Sequence, residues 1–200
     1  MKGICFTENM FNAVIDGRKT QTRRLIKLKQ DHEVLFSWFN EELDCYCLET
    51  KKAIIYKPRY KSGEKVYIKE PYWTGHDHDT GKENVVYKYG ATYIPENVVK
   101  KMNWKSPRFM PERYARYFIE ITSVRCERVQ NILYTDARKE GIKMRVAATH
   151  PYEMIYQIPE MPNYYDTYRQ AYAAMFDSIY GKGNWDSNPY VFVYNFKLLK

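Results

Sequence analysis

From the Lys61-Ser62-Gly63-Glu64 turn to Trp73 the chain alternates with a period of two. Val66, Ile68 and Glu70 fall on one face, Lys65, Tyr67 and Lys69 on the other. Such a segment predicts a half-buried strand over Lys65–Trp73, and a strand of this kind needs a sheet around it to cover its apolar face. The same apolar face carries the carboxylate of Glu70. A buried carboxylate is costly unless a cation pairs with it, and Arg24 and Arg116 are the two candidates. A structural core salt bridge and a role in a pocket are both open for Glu70.

The remaining segments read in the same direction. Met10, Phe11, Val14 and Ile15 recur at helical spacing, with Thr7 or Asn9 as N-cap and Gly17 as stop. The chain then enters a strand whose start is crowded with cations. Glu33–Tyr56 predicts one or two strands around Asn40–Asp44, residues 83–94 another, and Arg116–Arg128 a long β-rich run that a bulge or bend could divide. Pro107–Pro111 reads as an irregular, methionine-containing bend. Thr135–Glu140 predicts a short helix with Thr135 as cap and Gly141 as stop. Residues 143–164 hold Pro151, Pro159 and Pro162 without strong periodicity, which predicts an insertion or long loop. Tyr165, Tyr168, Tyr172, Met175, Phe176 and Ile179 form the stripe of a second helix ended by Gly181, and Pro189–Leu199 is a closing strand. Many strands with a few connecting helices predict an α+β fold, a mixed and largely antiparallel sheet or small barrel. Its 200 residues fit a single domain.

Charge narrows the function. The net charge is +8, with +5 in residues 1–29, +5 in residues 100–116 and −2 in the remainder. Two basic clusters on a near-neutral body point to a phosphate-bearing partner. No stretch is long and apolar enough to span a membrane, and the N-terminus lacks the apolar region of a signal peptide, so a cytoplasmic location is expected. There the four cysteines stay reduced. Metal binding is not expected: beside Cys45 and Cys47, the only other close ligand pair is His76-x-His78, in what reads as a polar hairpin loop. No cofactor is expected, and the oligomeric state is left open.

The densest basic segment is Gly17-Arg18-Lys19-Thr20-Gln21-Thr22-Arg23-Arg24. A desolvated lysine near other cations can lose its proton and activate a threonine hydroxyl. Lys19 and Thr22 meet that description if Lys19 sits in the turn after Gly17. Arg24 shares a strand face with Thr22, whereas Arg18 and Arg23 read as supplying charge. Glu140 stands in the last turn of its short helix, the end where the helix dipole disfavours a negative charge. Trp73, Tyr72 and Trp104 are candidates for stacking on an unpaired base.

Phe6-Thr7 through Arg24, with Gly17-x-Lys19-x-x-Thr22-x-Arg24, resembles the signature of the ASCH domain, a member of the PUA-like superfamily. The likeness is strongest to the ASCH-like proteins encoded in phages and prophages. Gly63-Glu64-x-Val66-Tyr67-x-x-Glu70-x-x-Trp73 is similar to their glycine-turn strand, and Pro107-x-x-Met110-Pro111 through Arg116 to their Met-Pro segment. Asp136-Ala137-x-x-Glu140-Gly141-Ile142 is similar to their short helix, and Trp185 to Phe196 to their closing strand. Residues of about 29–57 and 143–164 lie outside the likeness and are the expected family-variable segments.

The resemblance implies a PUA-like, mostly antiparallel β-barrel with helices packed over its openings. It implies binding of RNA or of a modified nucleoside or nucleotide in a cleft beside the glycine-lysine motif. Gly17, Arg18, Arg23, Arg24, Glu70, Trp73 and Arg116 would be the binding residues. One bacterial branch hydrolyses N4-acylated cytidines with a lysine, a threonine and a glutamate, which by motif position are Lys19, Thr22 and Glu140. Many ASCH proteins carry glutamate where this chain has Thr22, and the threonine points towards that branch. The chain is, however, much longer than the compact hydrolase type. A third class is a phage-related accessory protein that acts through protein contacts.

Overall fold

The structure is a computed structural model that describes residues 1–29, 32–41, 45–76, 81–90, 94–147, 154–158 and 161–199. Its first half runs β1 (Lys2–Cys5), α1 (Glu8–Ile15), β2 (Gln21–Leu25), β3 (Val34–Asn40), β4 (Cys45–Thr50), β5 (Ile55–Tyr56), β6 (Lys65–Lys69), β7 (Tyr72–His76) and β8 (Glu83–Tyr87). The second half runs α2 (Glu96–Lys101), β9 (Phe118–Arg128), α3 (Tyr134–Lys139), β10 (Lys143–Val146), β11 (Met154–Gln157), β12 (Tyr164–Tyr165), α4 (Tyr168–Tyr180) and β13 (Tyr190–Leu199). The molecule is α+β and rich in sheet, and among the described residues no helix is long and apolar enough to cross a membrane.

The central sheet has the order β1-β6-β9-β13-β2. Only β1 and β6 run parallel; the other three pairings are antiparallel. The register between β9 and β13 shifts between Asn195 and Phe196, so Thr122 is an extra residue in β9. That bulge has a purpose visible in the sequence. Ile119 and Ile121 precede it and Val124 and Cys126 follow it, with opposite parity, and the inserted residue brings all four to the core face. On β13, Phe192, Tyr194 and Phe196 face one core with α1 and β4, while Val191 and Val193 face a second core with α3 and α4. Edge strands β1 and β2 form no backbone ladder with each other among the described residues. Instead the Arg24 guanidinium reaches from β2 to the Cys5 carbonyl of β1, at 2.7 Å.

Several expectations need correction. The strand expected over Lys65–Trp73 stops at Lys69. Pro71 has no N–H to give a ladder, and beyond Glu70 the chain turns into the separate β7–β8 hairpin. Residues 143–164 are not a plain loop, because β10, β11 and β12 form a three-stranded sheet there. Strands of two to four residues are too short to show periodicity. Thr135 does not cap α3, since Leu133 holds that position, and Tyr165 belongs to β12 and not to α4. The cap of α4 is Thr167, in a capping box with Gln170. Residues 42–44 of the expected Asn40–Asp44 turn, His78 in its loop, Pro151 and Pro159 lie outside the described residues.

Candidate functional site

Gly17 leaves α1 with φ +73°, in the left-handed region that glycine tolerates. The turn it makes carries Lys19 back under α1, where its backbone N–H donates to the Ala13 carbonyl at 2.8 Å. Thr20 N–H then donates to the Lys139 carbonyl at 2.9 Å, tying the motif to the end of α3. Gly141, with φ +103°, brings the chain close there: a Cβ on it would lie 3.7 Å from Ala13 Cβ and 3.8 Å from Lys19 Cβ. Two glycine turns and one strap therefore place residue 19 beside residue 140.

Lys19 is buried, 1% exposed, and its Nζ donates to Glu140 Oε2 at 2.6 Å and to the Glu140 carbonyl at 3.0 Å. Arg23 Nη1 donates to the other carboxylate oxygen, Oε1, at 3.1 Å. Arg23 Nη2 also reaches Glu127 Oε1 at 2.7 Å and Asp136 Oδ2 at 3.0 Å. Arg125 completes the set, with Nε 3.0 Å from Glu127 Oε2 and Nη2 2.9 Å from Asp136 Oδ2. Three cations thus meet three carboxylates, which is how buried charge is tolerated. Burial pulls Lys19 below the ordinary lysine range, and the Glu140 charge and hydrogen bond oppose this without cancelling it. Burial by itself raises the Asp136 carboxyl, but Arg23 and Arg125 outweigh it and hold the group below its usual value.

Thr22 and Glu140 line one cavity of about 250 Å³, walled by Phe6, Arg24, Tyr172 and Tyr180 among others. Among the described residues the Thr22 side chain makes no hydrogen bond, although the residue is 3% exposed. Glu140, Met10 and Met175 also border a second, more apolar cavity of about 330 Å³ between α1 and α4. The larger cavity near the motif, about 610 Å³, lies on its other side, where Gly17 and Arg18 meet Arg138, Lys143 and Arg145. It shares no lining residue with the Thr22–Glu140 cavity.

The expected site residues thus fall into separate groups. Lys19, Thr22, Arg23, Arg24 and Glu140 come together, but Lys19 Nζ bonds Glu140 and makes no hydrogen bond to Thr22. The charge read for Arg23 is already neutralised by Glu127, Asp136 and Glu140, and that of Lys19 by Glu140. Arg18 is paired with Asp16 at 2.8 Å. Glu70 pairs with Arg116, not Arg24: Arg116 Nε and Nη2 lie 3.0 and 2.5 Å from its two oxygens. Burial raises the Glu70 pKa, and the Arg116 hydrogen bonds and charge only moderate that rise. Arg116 also donates to the Tyr89 carbonyl and lies 4.1 Å over the Tyr87 ring. Neither Glu70, Arg116 nor Trp73 lines the Thr22–Glu140 cavity.

The stacking candidates fare alike. Trp73 is half-buried across Gly75, Tyr72 is buried with its hydroxyl on the Phe109 carbonyl, and the Trp104 indole donates to the Val99 carbonyl. The aromatic wall is Tyr172 and Tyr180 of α4, whose stripe reads in the sequence only as core. Glu127 and Arg125 share a face of β9, a spacing that could have indicated an ion pair. Among the described residues, no group of three or more His, Cys, Asp or Glu could hold a metal ion. No family model, curated protein or solved structure matches the chain.

Proposed function

We propose that the chain is an ASCH-type, PUA-like domain that binds RNA or a modified nucleoside or nucleotide, with a base held in the Thr22–Glu140 cavity. In this reading the Arg24–Cys5 bridge between the edge strands stands in for the missing ladder of a small barrel. The observation that carries the proposal is a carboxylate fixed by two cations in the same small cavity as an unbonded hydroxyl. Glu140 cannot rotate without breaking its bonds to Lys19 and Arg23, so it is a preorganised acceptor for an amino or imino N–H of a base edge. Thr22 can donate or accept beside it. Tyr172 and Tyr180 supply an aromatic part of the wall against which a base would pack. A filter-binding titration of single-stranded RNA tests the reading. Thr22→Val and Arg24→Gln should each weaken binding about tenfold, or about 1.4 kcal/mol. Wild-type affinity in both variants rejects the site.

A second reading has one specific support, the shared cavity of Thr22 and Glu140. There the Thr22 hydroxyl would attack the acyl carbon of an N4-acylated cytidine, its proton passing by way of Glu140 to the N4 amine as the amide C–N bond breaks, and water would then hydrolyse the acyl-threonine ester to free the carboxylic acid. Lys19, engaged by Glu140, would act by fixing that carboxylate and not by touching Thr22. Incubation with N4-acetylcytidine and chromatography for cytidine decides it. No turnover by the wild type, or unchanged turnover by Thr22→Ala, removes the hydrolase reading.

A further inference from the structure

Next to the Thr22–Glu140 cavity lies another of about 500 Å³ whose lining includes four cations and no carboxylate: Arg24, Arg59, Lys69 and Arg108. They come from β2, the β5–β6 connection, β6 and the turn at Pro107–Phe109. None of the four makes an ion pair among the described residues. The carboxylate of Glu64 is taken by Lys2, 3.0 Å away, whose Nζ also bonds the Arg59 carbonyl.

The site is shaped, not merely charged. Lys69 Nζ is held on the Arg108 carbonyl at 2.9 Å, and the Arg59 N–H is held by the Tyr194 hydroxyl at 2.9 Å. The Lys69 stem and the Tyr67 ring lie across bare Gly3, where a Cβ would come within 2.3 Å of Lys69 Cε and 2.7 Å of Tyr67 Cζ. Convergent cations repel one another, and here no protein anion offsets the repulsion. The neighbouring network solves the same problem with Glu127, Asp136 and Glu140.

We propose that this cavity is a phosphoester subsite, which takes the phosphate attached to the nucleoside whose base occupies the Thr22–Glu140 cavity. The proposal rests on the nucleotide reading above and deepens it. Adjacency carries it: Cys5 and Arg24 line both cavities, so a nucleotide whose base fills one needs only to pass the Arg24 side chain to set its phosphate in the other. The larger basic cavity around Arg138 and Lys143 has no such shared wall.

The test uses Arg59→Gln/Arg108→Gln, two exposed positions outside the base cavity, with circular dichroism to confirm folding. Binding is followed by fluorescence anisotropy against salt for three probes: a short single-stranded RNA, an abasic strand of equal length, and the nucleoside 5′-monophosphates. Affinity for RNA and for the abasic strand should both fall about tenfold, with the slope of log K against log salt shallower by about 0.7 for each phosphate contact removed. Weakened mononucleotide binding assigns the subsite to a phosphomonoester, and unchanged mononucleotide binding to a chain phosphodiester. If Thr22→Val leaves RNA binding intact while the double variant weakens both strands, the base reading fails and the phosphate subsite stands. Unchanged affinity and slope in the double variant, loss seen only in Arg138→Gln/Lys143→Gln, or no binding of any phosphate-bearing probe overturns the proposal.

Discussion

Glu70 and Glu140 are both buried carboxylates gripped by arginine, and they end in opposite situations. Glu70 is sealed, with both oxygens taken by one guanidinium and aromatic rings on Arg116. Glu140 divides its oxygens between Lys19 and Arg23 and still borders two cavities. A bidentate partner satisfies a carboxylate and closes it. Two partners that take one oxygen each fix the orientation of Glu140, which still lines open space. The position of the cations, more than burial, separates a structural glutamate from one that can meet a ligand.

The sharpest way to break this contrast is at Arg116. Arg116→Leu strands a buried carboxylate and should cost about 3 kcal/mol of stability in urea denaturation, while RNA affinity of the folded fraction stays within about twofold. A larger loss of affinity would put Glu70 in the binding site. Glu140→Gln keeps shape but removes the charge that faces Lys19 and Arg23. It should cost about 2 kcal/mol and weaken RNA binding about tenfold. If Glu70→Gln weakens binding more than Glu140→Gln does, the assignment of the two carboxylates is reversed.

Asp136 sharpens the contrast through pH. Its carboxyl titrates below the ordinary aspartate value of 3.8 in the fold. Its stabilising contribution is therefore complete above that value and lost as pH falls through the lower, folded one. Thermal melts of Asp136→Asn should show a shallower loss of stability on acidification below about pH 4 than the wild type. Equal slopes would remove Asp136 from the network. The smallest effect belongs to Arg18, whose pair with Asp16 is partly exposed. Arg18→Gln should change stability by no more than about 0.5 kcal/mol.

Much of the frame was legible because it follows local rules. Helix α1 and its glycine stop, the turn into β6, the β9 run with its bulge and the closing strand all announce themselves by period or by turn chemistry. Glu70 could be marked as a buried carboxylate from Val66 and Ile68 alone, although its partner could not be chosen. The site was legible only in part. Lys19, Thr22 and Arg24 sit in one short motif, whereas Glu127 and Asp136 join Arg23 across 104 and 113 residues. The Lys65, Tyr67 and Lys69 face reads in the sequence only as the second face of a strand. Only the fold sets Lys69 against Arg24, Arg59 and Arg108.

The Lys19–Glu140 bond joins residues 121 apart, and β2 is held in the sheet by β13, the last strand of the chain. In a chain growing from its N-terminus, Lys19 and Arg23 are therefore made long before Glu127, Asp136 and Glu140, the carboxylates that pair with them. Bringing Lys19 to Glu140 means closing a loop of 121 residues, whose entropic cost local contacts do not carry. Until β13 docks, the nascent protein is a different electrostatic object from the finished one. Its leading segment is then a cation cluster without the carboxylates that neutralise Lys19 and Arg23 in the finished fold. Once β13 pairs with both β2 and β9, Arg23 and Glu127 meet across it and the segment becomes charge-balanced.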